Sequence, residues 1–179
     1  MSTEIKMKNM PLQFTHKSGG DAPQPYHFTE SGLDNVYLTN GFKRVQTKYG
    51  EAVSFMHADE LLNVIGEALA VSKRDLTGKE LRFLRHRLNI TQSELGQFLG
   101  VDHQTIGRWE RDEIKATESA VKLLRMFYLE ELALEAANSM TLRQLFDRLD
   151  QFDEDTDASF CMSISDNEVW DASKIPEAA

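Results

Sequence analysis

The sequence predicts a mainly α-helical fold with a small N-terminal antiparallel β-sheet, an α+β architecture. Three observations support this prediction. Strand-like segments bounded by turn residues lie within residues 35–55, whereas apolar residues at helical spacing recur from residue 59 to residue 149. Most of these helical runs follow a Thr or Asp that can cap a helix N-terminus. The composition, with 41% hydrophobic and 27% charged residues, is that of a globular protein.

The first elements are predicted to be three short strands that follow a flexible arm at residues 1–25. Residues 35–39 and 42–47 have strand-like patterns, and the Asn40-Gly41 pair between them is a strong hairpin-turn signal. Residues 51–55 follow a second turn and alternate like a third strand.

A sheet this small is not stable alone, so we expect it to pack against the next helix. That helix is predicted to run from Asp59, as its N-cap, to about Val71, because apolar residues recur there at helical spacing. Sheet and helix together form a predicted domain at residues 26–72, which would serve dimerisation or partner binding.

Two copies of one capping device predict where the next two helices begin. In residues 77–80, and again in residues 91–94, a threonine and a glutamate three residues later can satisfy each other's free backbone amides. The helices that follow are predicted to end at about Leu88 and at Leu99.

Residues 91–110 meet the physical requirements of two short helices joined by a tight turn. The residue of the first helix that faces the second must be small, and Gly96 occupies this position. Gly100 can supply the left-handed residue of the turn, and Asp102 can cap the second helix. The same segment supplies an apolar seam between the helices: Leu95, Leu99, Val101, Ile106 and Trp109. We predict that Trp109 lies in the core and does not stack on bases.

The segment from Thr91 to Val101, followed by Thr105 to Glu110, resembles the Cro/CI or XRE-type helix-turn-helix repressors. The resemblance covers about residues 77–124, with Thr-Gln, a small residue, Gly-Val and Trp-Glu in register. It implies a five-helix, lambda-repressor-like DNA-binding domain, which we place at residues 73–137. The alternative is that these residues form the core of an unrelated helical bundle.

The resemblance also implies that double-stranded operator DNA is the partner. Gln92 would clamp a phosphate at a helix N-terminus, where backbone amides favour an anion. Four side chains of the second helix would face the major groove: His103, Gln104, Thr105 and Arg108. Arginine can pair with guanine there and glutamine with adenine, although Thr105 has an alternative role in helix packing. Arg111 and Lys115 would contact the DNA backbone.

The charge distribution favours a nucleic-acid partner for the middle of the chain only. The formal net charge of the whole chain is −9, which by itself argues against nucleic-acid binding. Residues 73–125 nevertheless hold 11 basic and 8 acidic residues, whereas residues 126–179 hold 3 basic and 13 acidic residues. The acidic end is a solvated tail or, as the alternative, a competitor with DNA for the basic face.

A helix predicted over residues 118–137, with Thr117 as its cap, is apolar on two faces. Val121, Leu124, Tyr128 and Leu132 form one face, and Leu123, Phe127 and Leu134 form the other. One of the two faces would close the domain, and the other is a candidate dimer surface or is buried in a larger core. Because one such module binds DNA weakly, we expect a homodimer on a palindromic operator.

The last region, residues 138–179, is predicted to be a short helix followed by an acidic tail. A capping box at residues 141–144 opens the helix, which would end at about Leu149. Residues 160–164 are a candidate strand that could dock on the rest of the protein.

The order of a small sheet, a helix and a DNA-binding unit is similar to the MqsA-type and HigA-like antitoxins. In that family the front domain holds zinc through cysteine pairs and binds a toxin. Leu38 and Gly41 stand where a cysteine pair would be expected, so we expect no metal and no other cofactor. The similarity in element order makes an antitoxin, with a toxin protein as its partner, the alternative function. A non-DNA interaction module is the third candidate function.

The remaining features favour a non-enzymatic, soluble and cytoplasmic protein. The five histidines lack metal-ligand spacing, and the single cysteine, Cys161, has no neighbouring base. The N-terminus lacks an apolar signal segment, and no apolar run approaches the roughly 20 residues that span a bilayer. Together with the resemblance to helix-turn-helix repressors, these features lead us to expect a transcriptional regulator that represses its own operon.

Overall fold

The computed structural model describes residues 25–72, 75–135 and 159–174, and these residues form five α-helices, one three-residue 3-10 helix and two small sheets. About half of them are helical, in agreement with the predicted mainly α-helical class.

The chain divides into two compact units, one of Met1–Val64 with Ala158–Ala179 and the other of Ile65–Asp157. The predicted domains at residues 1–25, 26–72, 73–137 and 138–179 stay a prediction. The boundary between the two units falls inside a continuous helix, and the end of the chain shares a sheet with the front.

Among its described residues, the first unit contains six strands, a short 3-10 helix (Thr29–Ser31) and the beginning of the first α-helix. These elements are β1 (Tyr26–His27), β2 (Val36–Leu38), β3 (Phe42–Thr47), β4 (Gly50–Phe55), α1 (Ala58–Ser72), β5 (Phe160–Ile164) and β6 (Trp170–Lys174). Four strands form the main sheet in the order β1-β2-β5-β6, and β3 and β4 form a separate two-stranded ribbon.

The main sheet is mixed, so the predicted antiparallel N-terminal sheet is confirmed only for the pairing of β3 with β4. β2 pairs in parallel with β5, whereas β1 and β6 are antiparallel to their neighbours. The strand predicted at residues 160–164 is confirmed as β5, but it belongs to the centre of this sheet, and the predicted tail also contains β6. Burial of apolar side chains explains the central position of β5, because residues from the front and from the end of the chain share one core. The residues that are buried almost completely are Leu33, Val36, Leu38, Phe160 and Met162.

Asn40-Gly41 does not form the predicted hairpin turn, because β3 pairs with β4 and not with β2. The side chain of Asn40 instead donates through Nδ2 to the Ile164 carbonyl (2.8 Å) and accepts through Oδ1 from the Ile164 backbone amide (2.7 Å). Gly41 has a φ of +74°, and a Cβ at this position would overlap the Trp170 ring. The pair therefore extends the contact with β5 and then directs the chain into the β3–β4 ribbon.

The described part of the second unit contains the end of α1 and four further helices: α2 (Gly78–Arg87), α3 (Gln92–Leu99), α4 (His103–Glu110) and α5 (Glu118–Glu135). Both capping boxes are present, and the Thr117 hydroxyl accepts from the Ala120 amide (3.3 Å) as predicted. Asp59 is not an N-cap, because α1 begins one residue earlier. The helix predicted at residues 141–149 lies outside the described residues. None of the helices in the described ranges is long and apolar enough to cross a membrane.

Met162→Ala is expected to lower the free energy of unfolding of the first unit by about 2–5 kcal/mol, because Met162 is fully buried on β5. Urea unfolding can be followed by Trp170 fluorescence in a Trp109→Phe background, since the chain has two tryptophans. Val169→Ala, at a side chain that is 61% exposed, is the control and should change this energy by less than about 0.5 kcal/mol. Equal values for the two variants would mean that the end of the chain does not contribute to this core.

Candidate nucleic-acid interface

The helices α3 and α4 meet in the predicted helix-turn-helix arrangement. Gly96 is buried, and a Cβ at this position would lie 2.6 Å from the Val101 carbonyl oxygen, so no larger side chain fits. Gly100 ends α3 with a φ of +72°. The Asp102 carboxylate accepts from the amides of Gln104 (2.8 Å) and Thr105 (3.0 Å) and so caps α4. The predicted roles of these residues are confirmed.

Three of the four predicted groove residues are exposed on α4: His103, Gln104 and Arg108. Gln104 and Arg108 are four residues apart and therefore lie on the same face of the helix. An exposed row of hydrogen-bond donors and acceptors on a short, capped helix is what contact with base edges requires.

Thr105, the fourth predicted groove residue, is half-buried and takes part in the cap of α4. Its hydroxyl donates to the Asp102 carboxylate at 2.8 Å. This hydrogen bond, together with the one from the Thr105 amide, lowers the pKa of Asp102 and keeps the cap charged. The hydroxyl of Thr105 is thus engaged within the helix-turn-helix, and its contact with a base stays a prediction.

Gln92 and Arg111, predicted to contact phosphates from two different helices, lie next to each other. Gln92 is the first residue of α3, and its Nε2 donates to Glu110 Oε2 at 2.8 Å. A Cβ at Gly107 would lie 3.5 Å from Gln92 Oε1 and 3.1 Å from Arg111 Nη1. The absence of a side chain at Gly107 therefore allows the amide and the guanidinium to share one surface.

Glu113 lies against two of the predicted DNA contacts. Its carboxylate is 2.7 Å from Arg111 Nε and 3.7 Å from Arg108 Nε. The hydrogen bond from Arg111 lowers the pKa of Glu113, so the carboxylate is charged at neutral pH. A phosphate that binds either arginine has to compete with this carboxylate.

Lys115 is separate from the group, with its side chain 94% exposed and its Nζ 3.7 Å from the Asp75 carboxylate.

A buried ion pair lies behind this surface. Arg85 of α2 donates to Glu110 of α4 through Nε (2.5 Å) and Nη2 (3.2 Å), and its Nη1 donates to the Ile90 carbonyl (2.8 Å). Burial alone would raise the pKa of Glu110. The hydrogen bonds from Arg85 and Gln92 outweigh that effect and hold the pKa below its usual value. The pair thus links α2 and α4, and the hydrogen bond from Gln92 to Glu110 connects α3 to the same group.

In the sequence analysis Arg85 enters only the charge count, and Glu110 enters that count and the Trp-Glu motif, although the two side chains are buried and neutralise each other. Arg125 is also buried, so fewer of the basic residues in the range 73–125 reach solvent than the sequence implies. A signal was available, because Arg85 and Glu110 each follow a core residue on a helix, and a charge among buried apolar residues needs a partner. The core position of Trp109 is confirmed, since it is 4% exposed.

The described residues offer little for metal or nucleophilic chemistry. Within the ranges that the structure describes, no three His, Cys, Asp or Glu side chains lie close enough together to hold a metal ion. Cys161 is buried, and burial raises the pKa of its thiol, which disfavours the nucleophilic thiolate.

Residues 81–128 match the family model described as "Helix-turn-helix". This range extends from α2 into α5, so the helix-turn-helix formed by α3 and α4 lies within the matched residues. No curated protein and no solved structure gives a significant match to the chain. The family match does not include residues 26–72, and the resemblance of that region to antitoxins stays a prediction.

The depressed pKa of Glu110 predicts an acid-sensitive contribution to the stability of the second unit. This contribution is fully present above the ordinary glutamate pKa of 4.5 and is lost as the pH falls through the lower folded-state value. Glu110→Gln should therefore flatten the decline of the unfolding free energy below about pH 4.5. At pH 7 it should destabilise the unit by about 3–5 kcal/mol, because Arg85 loses its buried counter-charge. Urea unfolding at several pH values, followed by Trp109 fluorescence in a Trp170→Phe background, measures both effects, and parallel pH curves for the two proteins would contradict the assignment.

Proposed function

We propose that this protein is a sequence-specific DNA-binding regulator of transcription that represses its own operon as a homodimer. The observation that carries the proposal is the exposure of His103, Gln104 and Arg108 on a capped helix inside a matched helix-turn-helix range. A dimer that occupies a palindromic operator would block RNA polymerase, so the mechanism needs no catalytic group and no cofactor.

In this proposal α4 enters the major groove and the neighbouring side chains hold the phosphates. Arg108 pairs with guanine and Gln104 with adenine, because these side chains match the donor and acceptor patterns of the two bases. Gln92 and Arg111 bind the backbone from their shared surface over Gly107, and Lys115 adds a further backbone contact. The Arg85–Glu110 pair takes no part in binding and orients Gln92.

The α5 surface supports the dimer. Leu123 and Leu134 are 42% and 62% exposed, and Phe127 stacks on the 51% exposed Phe98 at a centroid distance of 4.9 Å. The opposite face of α5, with Val121, Leu124 and Tyr128, is buried within the unit. An exposed apolar group of this kind is typical of a surface that another protein covers, and a two-fold partner would place two α4 helices on one palindrome.

The antitoxin alternative requires a toxin-binding surface on residues 26–72 or on the acidic end of the chain. The exposed residues of α4 fit DNA binding in both cases, so the toxin-binding surface is what separates the two functions. If the protein is an antitoxin, it should co-purify with the product of an adjacent small reading frame.

Arg108→Ala should weaken operator binding by about 1–3 kcal/mol and relax the preference at one base pair, because a base contact carries sequence information. Gln92→Ala should weaken binding to operator and random DNA equally, because a phosphate contact does not. Fluorescence anisotropy at one salt concentration, with the promoter DNA of the protein's own operon and with a random duplex, measures both. Lys122→Ala, an exposed lysine on α5, is the control. Wild-type operator affinity in both variants would contradict the α4 assignment.

Leu123→Glu should convert the dimer to a monomer, because it places a charge on the apolar face of α5. Analytical ultracentrifugation measures the association directly, and anisotropy should show a parallel loss of affinity for the palindromic operator. Lys122→Glu alters the adjacent, already polar position and should leave the dimer intact. A Leu123→Glu protein that remains dimeric would show that another surface forms the dimer.

A further inference from the structure

The β3–β4 ribbon is an exposed, two-stranded extension of the first unit. Its strands pair with each other over six positions, from Phe42 opposite Phe55 to Thr47 opposite Gly50, and neither belongs to the main sheet. An aromatic cluster fixes its base, since the Tyr26 ring lies 5.2 Å from Phe42 and 5.6 Å from Phe55. Beyond this base, every residue from Lys43 to Ala52 is exposed to solvent.

Among the described residues of the first unit, basic residues are concentrated on this ribbon. Four basic residues lie in this described part, of which Lys43, Arg44 and Lys48 belong to the ribbon and Lys174 to β6. The same part includes eight acidic residues, and of these Glu51 alone belongs to the ribbon. The ribbon is therefore a local basic surface on an otherwise acidic unit.

The two lysines differ from Arg44 in their contacts. Arg44 is 3.3 Å from the Glu51 carboxylate, and its guanidinium lies 5.8 Å from the centre of the Tyr26 ring. Lys43 and Lys48 take part in no ion pair among the described residues of the chain. Lys48 lies 4.8 Å from the ring centre of Tyr49, which is 87% exposed at the turn of the ribbon. Both lysine charges are thus available to an anionic partner.

We propose that the β3–β4 ribbon is a second DNA-contacting element, in which Lys43 and Lys48 bind backbone phosphates. This inference rests on the proposed function, because it assumes that the anionic partner of the protein is duplex DNA. Charge complementarity favours a phosphate backbone over a protein partner. A protein interface needs a desolvated apolar centre. The ribbon exposes two large apolar side chains, Val45 and Tyr49, and these are too few to form such a centre. Phosphate contact needs only exposed cations on a rigid support.

The salt dependence of DNA binding tests the proposal with the full chain and a random-sequence duplex. Each phosphate contact contributes about 0.9 to the slope of log K against log salt concentration, so Lys43→Gln/Lys48→Gln should reduce that slope by about 1.8. Between about 50 and 200 mM salt, the wild type should then lose roughly tenfold more affinity than the double variant. Glu51→Gln, which removes the acidic group of the ribbon, should have the opposite effect and steepen the slope. Lys122→Gln removes one lysine charge from α5 and should leave the slope unchanged.

The outcomes separate this proposal from the proposed function. If the wild type binds no duplex, both fail. If it binds DNA and the double variant keeps the wild-type slope, only the role of the ribbon is overturned. If the variant instead loses binding to a poly-glutamate peptide while its DNA slope is unchanged, the ribbon is a surface for an acidic protein.

Trp170 fluorescence must show that the double variant retains the fold of the first unit. If that variant does not fold, Lys48→Gln alone, at the exposed turn, should reduce the slope by about 0.9. A wild-type slope in this folded single variant would equally overturn the assignment of Lys48.

Discussion

The buried ion pair between Arg85 and Glu110 is the constraint on which the arrangement of the DNA-binding unit depends. Two hydrogen bonds between a planar guanidinium and a carboxylate fix both the distance and the relative orientation of α2 and α4. Gln92 brings the first residue of α3 into the same group through the Glu110 carboxylate. Since neither charge can turn to solvent, displacement of one helix would leave a buried charge without its partner.

Local features around this pair determine what the unit presents to solvent. Gly96 allows the backbone of the turn to lie directly against α3, and the Asp102 cap fixes the first turn of α4. The side chains that follow the cap, His103 and Gln104, consequently point away from the core. The same geometry explains why Thr105 differs from them, since its hydroxyl is a component of the cap.

The helices of the second unit could be predicted from sequence because their determinants are local. The capping boxes at Thr77 and Thr91 and the left-handed Gly100 act over three or four residues, and the observed helix ends lie at or next to the predicted ones. The exposure of side chains on α4 could be predicted from the same local features. These features also distinguish the segment from an unrelated helical bundle, in which the same apolar seam would not need Gly96 and Gly100 at their positions.

The strand pairing could not be predicted, because it joins residues far apart in the chain. β2 has a strand-like pattern whether its neighbour is β3 or β5, and Asn40-Gly41 has the local sequence of a hairpin turn. Only the contacts of Asn40 with Ile164, and of Gly41 with Trp170, decide against that turn. The Arg85–Glu110 pair was missed for the same reason, since 25 positions separate its members.

Hydrogen–deuterium exchange of the full chain, with and without the promoter DNA of its own operon, tests most directly whether α4 is the DNA-binding surface. Backbone amides that a bound duplex covers or stabilises exchange more slowly, and the position of the change is resolved by peptide. The account predicts that the largest gain in protection within residues 65–135 falls on peptides that cover residues 91–111. DNA binding without added protection in those peptides would contradict it.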